Sequence, residues 1–246
     1  MKFVNEEHFY TYFNTLKFLG EGSQGICYCD KNKVIKIFHD YFEGEDILYT
    51  GDDILKFKGI KNSTFIWPED VVFIKDKVVG YTMPYIRFNN LYNINPLLIN
   101  LDRLERAIKK TYDDIMILTD NDVVMYDVAY NILYGNGKIK VIDTLEYGFN
   151  TVSFEKNRAN VDYEIKLFLV DNYFNSFIYN DRLLKEMYDD RFVSSLEFLK
   201  AFRGKLSSYL DKDVKTLNTA RRLVKRIDNP KYIRDLYGDD FNGKDR

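Results

Sequence analysis

The sequence predicts an α+β fold in which antiparallel strands come first and helices follow. Residues 16–38 and 65–86 contain short apolar runs separated by turn residues, which is typical of strands. From residue 101 onward, apolar residues recur at three- and four-residue steps, as expected for amphipathic helices. A β-hairpin is predicted between the helices, because residues 135–137 read Gly-Asn-Gly and can supply the positive φ of a tight turn.

The composition indicates a globular protein and excludes several classes. Apolar residues make up 46% and charged residues 30% of the 246 positions, which is enough to bury a sizeable core in one large domain or two lobes. The net charge of −2 gives no overall attraction to nucleic acid or to an anionic membrane, so neither partner is expected. No apolar run approaches the roughly 20 residues that span a bilayer.

The N-terminus and the cysteines predict a cytoplasmic location. The first residues lack the charged-then-apolar pattern of a signal peptide. Cys27 and Cys29 are too few for a disulfide framework. A lone Cys-x-Cys with two histidines in the whole chain is also a poor metal site. We therefore expect two reduced packing cysteines in a cytoplasmic protein.

The first strong pattern is a glycine turn between two alternating strands. Residues 16–19 alternate, Gly20, Gly22 and Gly25 form a Gly-x-Gly-x-x-Gly turn, and residues 26–28 alternate again. A dinucleotide-binding fingerprint would need a helix after the glycines, whereas this chain turns back as a hairpin. Glycines let the backbone approach a ligand closely, so its N–H groups can face phosphate oxygens.

A lysine in the third predicted strand needs an explanation. Residues 34–38 read Val-Ile-Lys-Ile-Phe, so Lys36 is flanked by apolar residues that should be buried. A buried lysine requires an anionic partner. We therefore expect Lys36 to lie in a site and not on an exposed strand face.

The remaining elements follow the same periodicities. Residues 5–14 fit either a short helix or a lead-in strand, and residues 43–60 carry helix-like spacing with a break near Thr50. Long amphipathic helices are predicted over residues 101–118 and 163–174.

Two later helices carry signals at their ends. Ser194 and Glu197 form a capping box that opens the next helix. A further helix over residues 216–227 is predicted to stop at Asn229-Pro230, and the tail from Gly238 is expected to fray.

Polar side chains flank the predicted hairpin on both sides. Asp127 and Asn131 precede its first strand, and Asp143 follows its second. Two carboxylates and an amide suit Mg²⁺, which takes few protein oxygens and otherwise keeps water and phosphate oxygens. Asp and Asn are also common at turns for local reasons, so the signal gains its strength from the glycine turn and Lys36 upstream.

In this order, the motifs resemble those of protein kinases. The strand, glycine turn, strand and Val-Ile-Lys resemble the nucleotide-covering loop and lysine strand of that family. Asp127, Asn131 and Asp143 match its catalytic base and two metal-binding positions. The resemblance covers roughly residues 15–145 and is closest to a minimal bacterial or phage-type serine/threonine kinase.

The resemblance implies a two-lobed protein-kinase-like fold. An antiparallel sheet with one helix would form an N-terminal lobe over residues 1–86. A mainly helical C-terminal lobe with the catalytic and metal-binding loops would follow over residues 87–246. The helix of the first lobe would offer an acid to Lys36, for which Glu45, Asp52 and Asp53 remain alternatives.

The resemblance also implies ATP and Mg²⁺ as ligands. Lys36 would contact the α and β phosphates, Asp127 would accept the proton of the substrate hydroxyl, and Asn131 and Asp143 would bind Mg²⁺. The other implied nucleotide-binding positions are the glycines, the walls of the adenine site, the gatekeeper and the hinge: Leu19, Gly20, Gly22, Gly25, Cys27, Val34, Met83, Pro84, Ile86 and Leu133.

The chain departs from the family pattern in its catalytic region. Met125 and Tyr126 stand where the family has His and Arg, and Asp127 and Asn131 are four positions apart, not five. Thr144-Leu145 replaces Phe-Gly, and no Ala-Pro-Glu follows. The missing Arg predicts that no phosphorylated activation loop controls this chain.

Three functions follow from the resemblance. The first is a serine/threonine-protein kinase that phosphorylates a protein substrate. The second is a phosphotransferase for a small-molecule alcohol, as in antibiotic and choline kinases, which the short segment after Asp143 favours. The third is a pseudokinase that binds nucleotide as a scaffold, which the altered catalytic loop favours.

Overall fold

A six-stranded sheet forms the first part of the chain in the computed structural model, which describes residues 1–170 and 173–227. Its strands are β1 (Lys2–Phe3), β2 (Lys17–Glu21), β3 (Gly25–Asp30), β4 (Lys33–Phe38), β5 (Asp70–Ile74) and β6 (Lys77–Pro84). They lie in the order β1-β5-β6-β4-β3-β2. Strand β1 runs parallel to β5, and the other neighbours are antiparallel. The alternating runs of the sequence therefore form the predicted antiparallel sheet.

Three short helices accompany the sheet: α1 (Glu6–Phe13), α2 (His39–Glu43) and α3 (Gly51–Leu55). The Asn5 side chain caps α1 by accepting a hydrogen bond from the His8 N–H at 2.8 Å, which settles the choice at residues 5–14 in favour of a helix. Of residues 43–60, which carry helix-like spacing, the structure makes helical mainly Gly51–Leu55 (α3), and the predicted break near Thr50 lies at the start of α3. Gly44 ends α2 with φ +77, and Thr50 starts α3 with a capping box.

Helices dominate the second part of the chain. They are α4 (Leu101–Asp120), α5 (Phe154–Val170), α6 (Asn175–Tyr179), α7 (Arg182–Asp189), α8 (Ser195–Leu210) and α9 (Leu217–Ile227). The long helix predicted from residue 101 and the capping box at Ser194 are confirmed. The helix predicted at residues 163–174 begins earlier, at Phe154. The stop at Asn229-Pro230 and the tail from Gly238 lie outside the described residues.

Short strands connect these helices to the site. They are β7 (Asn89–Asn90), β8 (Val123–Val124), β9 (Ile132–Gly135), β10 (Lys138–Val141) and β11 (Gly148–Phe149). Strands β9 and β10 form the predicted hairpin, with Ile132 opposite Val141 and Gly135 opposite Lys138. Within residues 1–170 and 173–227, no helix is both long and apolar enough to cross a membrane.

The segment at residues 62–67 links the sheet to the hairpin. The Val141 N–H donates to the Thr64 carbonyl, and the Ile66 N–H donates to the Val141 carbonyl, both at 2.9 Å. On the other side, the carboxylate of Asp114 in α4 accepts hydrogen bonds from the hydroxyls of Ser63 (2.8 Å) and Thr64 (2.7 Å). The last residues of β10 are thus fixed between α4 and the first part of the chain.

The buried carboxylate of Asp114 stabilises this link. Burial acts to raise the pKa of Asp114, but hydrogen bonds from Thr64, Ser63 and Lys110 outweigh it and hold the pKa below its usual value. The negative charge is therefore stable at neutral pH, and it favours the folded arrangement of residues 62–67.

Two glycines of the sheet allow close approach of neighbouring backbones. A Cβ at Gly80 would lie 2.0 Å from the carbonyl oxygen of Lys36, and one at Gly25 would lie 2.1 Å from that of Ile37. Both distances are shorter than any contact a real Cβ makes, so a side chain at either position would push β4 out of place. These glycines hold the strand that carries Lys36.

We expect Gly80→Ala to destabilise the protein by about 1–3 kcal/mol, because the new methyl group overlaps the backbone of β4. Urea unfolding measures the change in the free energy of unfolding. Gly204→Ala is the matched control, since Gly204 lies in α8 with open space around it, and alanine there should stabilise by about 0.5–1 kcal/mol. Equal effects of the two substitutions would contradict the close-approach explanation.

Candidate active site

Lys36 meets Asp143 in the interior between the two parts of the chain. Lys36 is 3% exposed, and its Nζ donates to Asp143 Oδ1 at 2.6 Å and to Gln24 Oε1 at 2.8 Å. The predicted anionic partner is therefore present, but it follows β10 and does not come from a helix of the first part.

The three acids expected to pair with Lys36 have other surroundings. The Asp53 carboxylate accepts hydrogen bonds from the backbone N–H and hydroxyl of Thr50 at the start of α3. Asp52 and Glu45 are exposed, and Glu45 lies in the irregular segment before α3. In the described part of the chain, the side chains that accept hydrogen bonds from Lys36 are those of Gln24 and Asp143, so none of the three acids pairs with it.

A chain of hydrogen bonds extends from Lys36 to the segment after Asp143. The Gln24 amide donates from Nε2 to Glu146 Oε1 at 3.0 Å, and the Tyr49 hydroxyl donates to the same carboxylate. The Tyr81 hydroxyl makes a long contact of 3.4 Å with Asp143 Oδ1. Burial raises the pKa of Tyr81, and the charge of Asp143 raises it further, so this phenol remains a proton donor.

The glycines of the turn have different surroundings. A Cβ at Gly20 or Gly22 would meet no atom within 4 Å, whereas Gly25 packs against the β4 backbone. The Gly22 N–H donates to the Gly25 carbonyl at 3.0 Å, and His39 Nε2 lies 2.8 Å from the Gly22 carbonyl oxygen. The turn is therefore fixed at its base, and its Gly20 and Gly22 side is open to a ligand.

Most of the predicted adenine-site side chains share one apolar cluster. Buried Val34 and Met83 pack with the partly buried Leu19, Cys27 and Ile86. Ile142 joins them from the far side of the site. Leu133 is not part of this cluster; it lies in β9, opposite Asn90 and Lys140. Pro84 ends β6 opposite Lys33.

Burial raises the pKa of the Cys27 thiol; among the smaller effects, Lys36 lowers it and Asp143 raises it. The Cys27 thiol is thus protonated at neutral pH.

The shortened loop between Asp127 and Asn131 forms a tight turn. Asp127 has φ +46 and Tyr130 has φ +63, and the Asn131 side chain donates from Nδ2 to the Asp127 carbonyl at 2.9 Å. The carboxylate of Asp127 is left exposed. The Ile142 N–H donates to the Asn131 carbonyl at 3.0 Å, so Asn131 lies beside the strand end that leads to Asp143. The turn therefore brings the main chain of Asp127 and Asn131 next to the strand end that leads to Asp143.

Tyr147 lies in the field of both carboxylates. Its hydroxyl is buried and has no hydrogen-bond partner among the residues that the structure describes. Burial raises its pKa first, and the charges of Asp127 and Asp143 raise it further.

The side-chain oxygens of Asn131 and Asp143 are of the kind that Mg²⁺ prefers. The Asp143 side chain is 30% exposed. The Asn131 amide donates through Nδ2 to the Asp127 carbonyl, which leaves its oxygen, Oδ1, as the atom that could bind a metal. In the described part of the chain, no group of three His, Cys, Asp or Glu could hold a metal by itself. Mg²⁺ needs only one or two carboxylates when phosphates and water complete its coordination, so the two residues suffice.

Two asparagines of α5 hold the chain just before Asp127. The Met125 N–H donates to Asn157 Oδ1 at 3.1 Å, and Asn157 Nδ2 donates to the Val123 carbonyl at 2.8 Å. Asn160 Nδ2 reaches the Met125 carbonyl at 3.3 Å. Because both amides bind main-chain atoms, they fix the backbone that leads to Asp127.

A large cleft lies beside Asp127. Its volume is about 1090 Å³, and residues 125–130 and residues of α5, α6 and α7 line it. We refer to it as the tyrosine-lined cleft, after Tyr92, Tyr126, Tyr130, Tyr163, Tyr179 and Tyr188. A cleft that begins at the predicted base is where an acceptor for a reaction at Asp127 would enter.

A solved kinase domain shares this architecture. The kinase domain of PknI from Mycobacterium tuberculosis superposes with a TM-score of 0.50 at 10% identity, covering 77% of this chain and 94% of that chain. No protein-family model and no curated protein matches the sequence. The predicted α+β, protein-kinase-like fold is therefore confirmed by structure, with an antiparallel sheet lobe and a helical lobe.

Several residues of the site escape sequence reasoning. Gln24 stands inside the glycine motif and Glu146 three positions after Asp143, so both are near known signals, but nothing in the sequence pairs them. Asn157 lies within a helix pattern and looks like any polar helix residue. Only the fold shows that it faces the strand before Asp127.

We expect Asn157→Ala to destabilise the protein by roughly 2 kcal/mol or more, because it leaves the buried Met125 N–H and Val123 carbonyl without partners. Thermal or urea unfolding measures this loss. Asn150→Ala changes the same residue type at an exposed position and should have little effect. A neutral Asn157→Ala would show that Asn157 does not hold the strand before Asp127.

Proposed function

We propose that this chain is an ATP- and Mg²⁺-dependent phosphotransferase that acts on a hydroxyl group. The observation that carries the proposal is the 2.6 Å contact between buried Lys36 and Asp143, which are 107 positions apart in the sequence. A random lysine on a strand would be exposed, whereas this one is buried under a glycine turn with an acid and an amide. An anionic substrate would find a fixed cation there.

Each residue then has a separate task. Lys36 would bind the α and β phosphates of ATP beneath the open side of the glycine turn, and Leu19, Cys27, Val34, Met83 and Ile86 would enclose the adenine by apolar burial. Asn131 and Asp143 would hold Mg²⁺, which when bound would neutralise charge on the phosphates. We assign residues 1–86 to the nucleotide-covering lobe and residues 87–246 to the catalytic lobe.

Asp127 would act on the acceptor. Its carboxylate is exposed at the mouth of the tyrosine-lined cleft, where an incoming hydroxyl can reach it. It would orient that hydroxyl and accept its proton as the oxygen attacks the γ-phosphorus. Transfer of this kind depends mainly on position and charge, so a loop one residue short is compatible with it when the turn still presents the carboxylate.

Two classes of acceptor are proposed. A serine or threonine of a protein is the acceptor implied by the complete glycine turn. A small-molecule alcohol is favoured by two observations: the tyrosine-lined cleft is concave, and α5 begins at Phe154, close after Asp143, leaving little chain for a peptide platform. A nucleotide-binding scaffold without chemistry is the remaining reading, and the next experiment separates it.

We expect wild-type protein incubated with γ-labelled ATP and Mg²⁺ to transfer label to itself or to consume ATP. Asp127→Asn should lower the rate by roughly 10²–10⁴-fold, since the base is lost while the shape is kept. Intact mass and ADP release measure the two products. Asp122→Asn is the matched control, because Asp122 is also exposed with a left-handed φ of +55. Stabilisation by ATP–Mg²⁺ without turnover would favour either a scaffold or a small-molecule kinase that lacks its acceptor.

We expect Asp143→Asn to weaken Mg²⁺-dependent ATP binding by roughly tenfold or more, because a carboxylate ligand is lost. Calorimetric titration of ATP with and without Mg²⁺ measures the difference. Asp52→Asn, an exposed acid without contact to Lys36, should bind as wild type does. If the Mg²⁺ dependence of ATP binding is unchanged in Asp143→Asn, Asp143 is not a ligand of the metal.

A further inference from the structure

Glu164 is a buried acid that faces the tyrosine-lined cleft. It is 6% exposed, and its Oε2 accepts a hydrogen bond from the Tyr92 hydroxyl at 2.8 Å. Among residues 1–170 and 173–224, whose side chains the structure describes, no lysine or arginine forms an ion pair with it. The neighbouring cation on α5, Lys166, donates instead to the carbonyls of Met187 (3.2 Å) and Asp190 (2.7 Å). A buried charge without a counter-charge is costly, so a cationic ligand would relieve it.

Aromatic rings surround this carboxylate. Tyr92 and Tyr130 stack with ring centroids 4.6 Å apart, and both line the cleft with Glu164. Tyr163, the residue before Glu164, is 54% exposed and lines it too. The faces of such rings attract ammonium groups through their quadrupoles, most strongly when the cation is desolvated. The aromatic rings and the carboxylate of Glu164 therefore both favour a cationic ligand.

The charged residues that line the cleft also favour a cationic ligand. Three carboxylates, of Asp127, Glu164 and Asp189, face one guanidinium, that of Arg191. Arg191 already donates from Nη2 to Asn160 Oδ1 at 2.8 Å. The cleft thus has an excess of negative charge, which attracts cations and repels anions.

We propose that the tyrosine-lined cleft binds a small hydroxyl-bearing amine as the phosphate acceptor, a proposal that rests on the phosphoryl transfer proposed above. The ammonium group lies at Glu164, Tyr92 and Tyr130, and the hydroxyl faces Asp127. The cleft volume of about 1090 Å³ leaves room for an amine with several hydroxyl groups. The positive charge selects the acceptor and orients it, because it fixes one end of the molecule.

The transfer conserves atoms and charge with ATP as the second substrate. The hydroxyl oxygen of the amine forms a bond to the γ-phosphorus, while the bond from that phosphorus to the β–γ bridging oxygen breaks. The bridging oxygen keeps the electron pair, and ADP leaves. The hydroxyl proton passes to the carboxylate of Asp127. The products are ADP and a phosphorylated amine.

The test compares amines with uncharged counterparts of similar shape. Ethanolamine, choline and glucosamine are set against 1-propanol, 3,3-dimethyl-1-butanol and glucose, each with wild-type protein, ATP and Mg²⁺. The measurements are the thermal unfolding midpoint, which reports binding, and ADP release, which reports turnover. We expect at least one amine to raise the midpoint and to increase ADP release roughly tenfold or more over its uncharged counterpart.

Glu164→Gln tests the recognition itself. Glutamine keeps an acceptor for the Tyr92 hydroxyl and removes only the charge, so the fold should persist. Affinity for the amine should fall roughly 10- to 100-fold, while affinity for ATP–Mg²⁺ stays as in wild type. Glu155→Gln, an exposed acid on the same helix, is the matched control. If Glu164→Gln fails to fold, Tyr163→Leu at the exposed edge should still weaken amine binding, whereas Tyr163→Phe should not.

The outcomes separate this proposal from the proposed function. If ATP–Mg²⁺ stabilises the protein but no amine surpasses its uncharged counterpart, the amine acceptor is wrong and the phosphotransferase proposal stands. Label on the protein itself with no response to any amine would likewise favour a protein acceptor over an amine. If amine binding is equal in wild type and Glu164→Gln, the site at Glu164 is wrong. If ATP–Mg²⁺ neither binds nor is consumed, the phosphotransferase proposal fails as well.

Discussion

The ion pair between Lys36 and Asp143 is the constraint on which the rest of the structure depends. A lysine that is 3% exposed would be unfavourable in an apolar sheet, and Asp143 at 2.6 Å offsets that cost. Its two members come from different parts of the chain, so the sheet and the hairpin must be placed to within a hydrogen-bond length of each other. Gln24 adds a second acceptor and thereby ties the glycine turn to the same point.

The polar residues outside the pair serve mainly to place backbone. Asn157 and Asn160 fix the main chain at Met125, and Asn131 closes the turn that begins at Asp127. Such amide-to-backbone contacts hold the main chain just before Asp127. A loop that departs from the kinase pattern in length and in residues can therefore keep an exposed carboxylate at the mouth of a cleft.

Local signals in the sequence predicted much of the fold. Alternation gave the strands, the Gly-Asn-Gly turn gave the hairpin, and Ser194 and Glu197 marked the start of α8, since each depends on neighbours in the chain. None of the three acids expected to pair with Lys36 does so, because residues 43–60 contain one short helix, α3, and the partner, Asp143, lies 107 positions away. Glu164 and Asn157 were missed for a similar reason: the sequence does not show which face of α5 points toward the site.

The link at residues 62–67 makes the two parts of the chain a single folding unit. Residues of the first part supply hydrogen bonds to Val141, and α4 of the second part holds Ser63 and Thr64 through Asp114. The lysine strand and the acid after β10 can therefore reach each other only when both parts have folded. A nascent chain therefore completes this site only after Asp143 has been synthesised and residues 62–67 have contacted both β10 and α4.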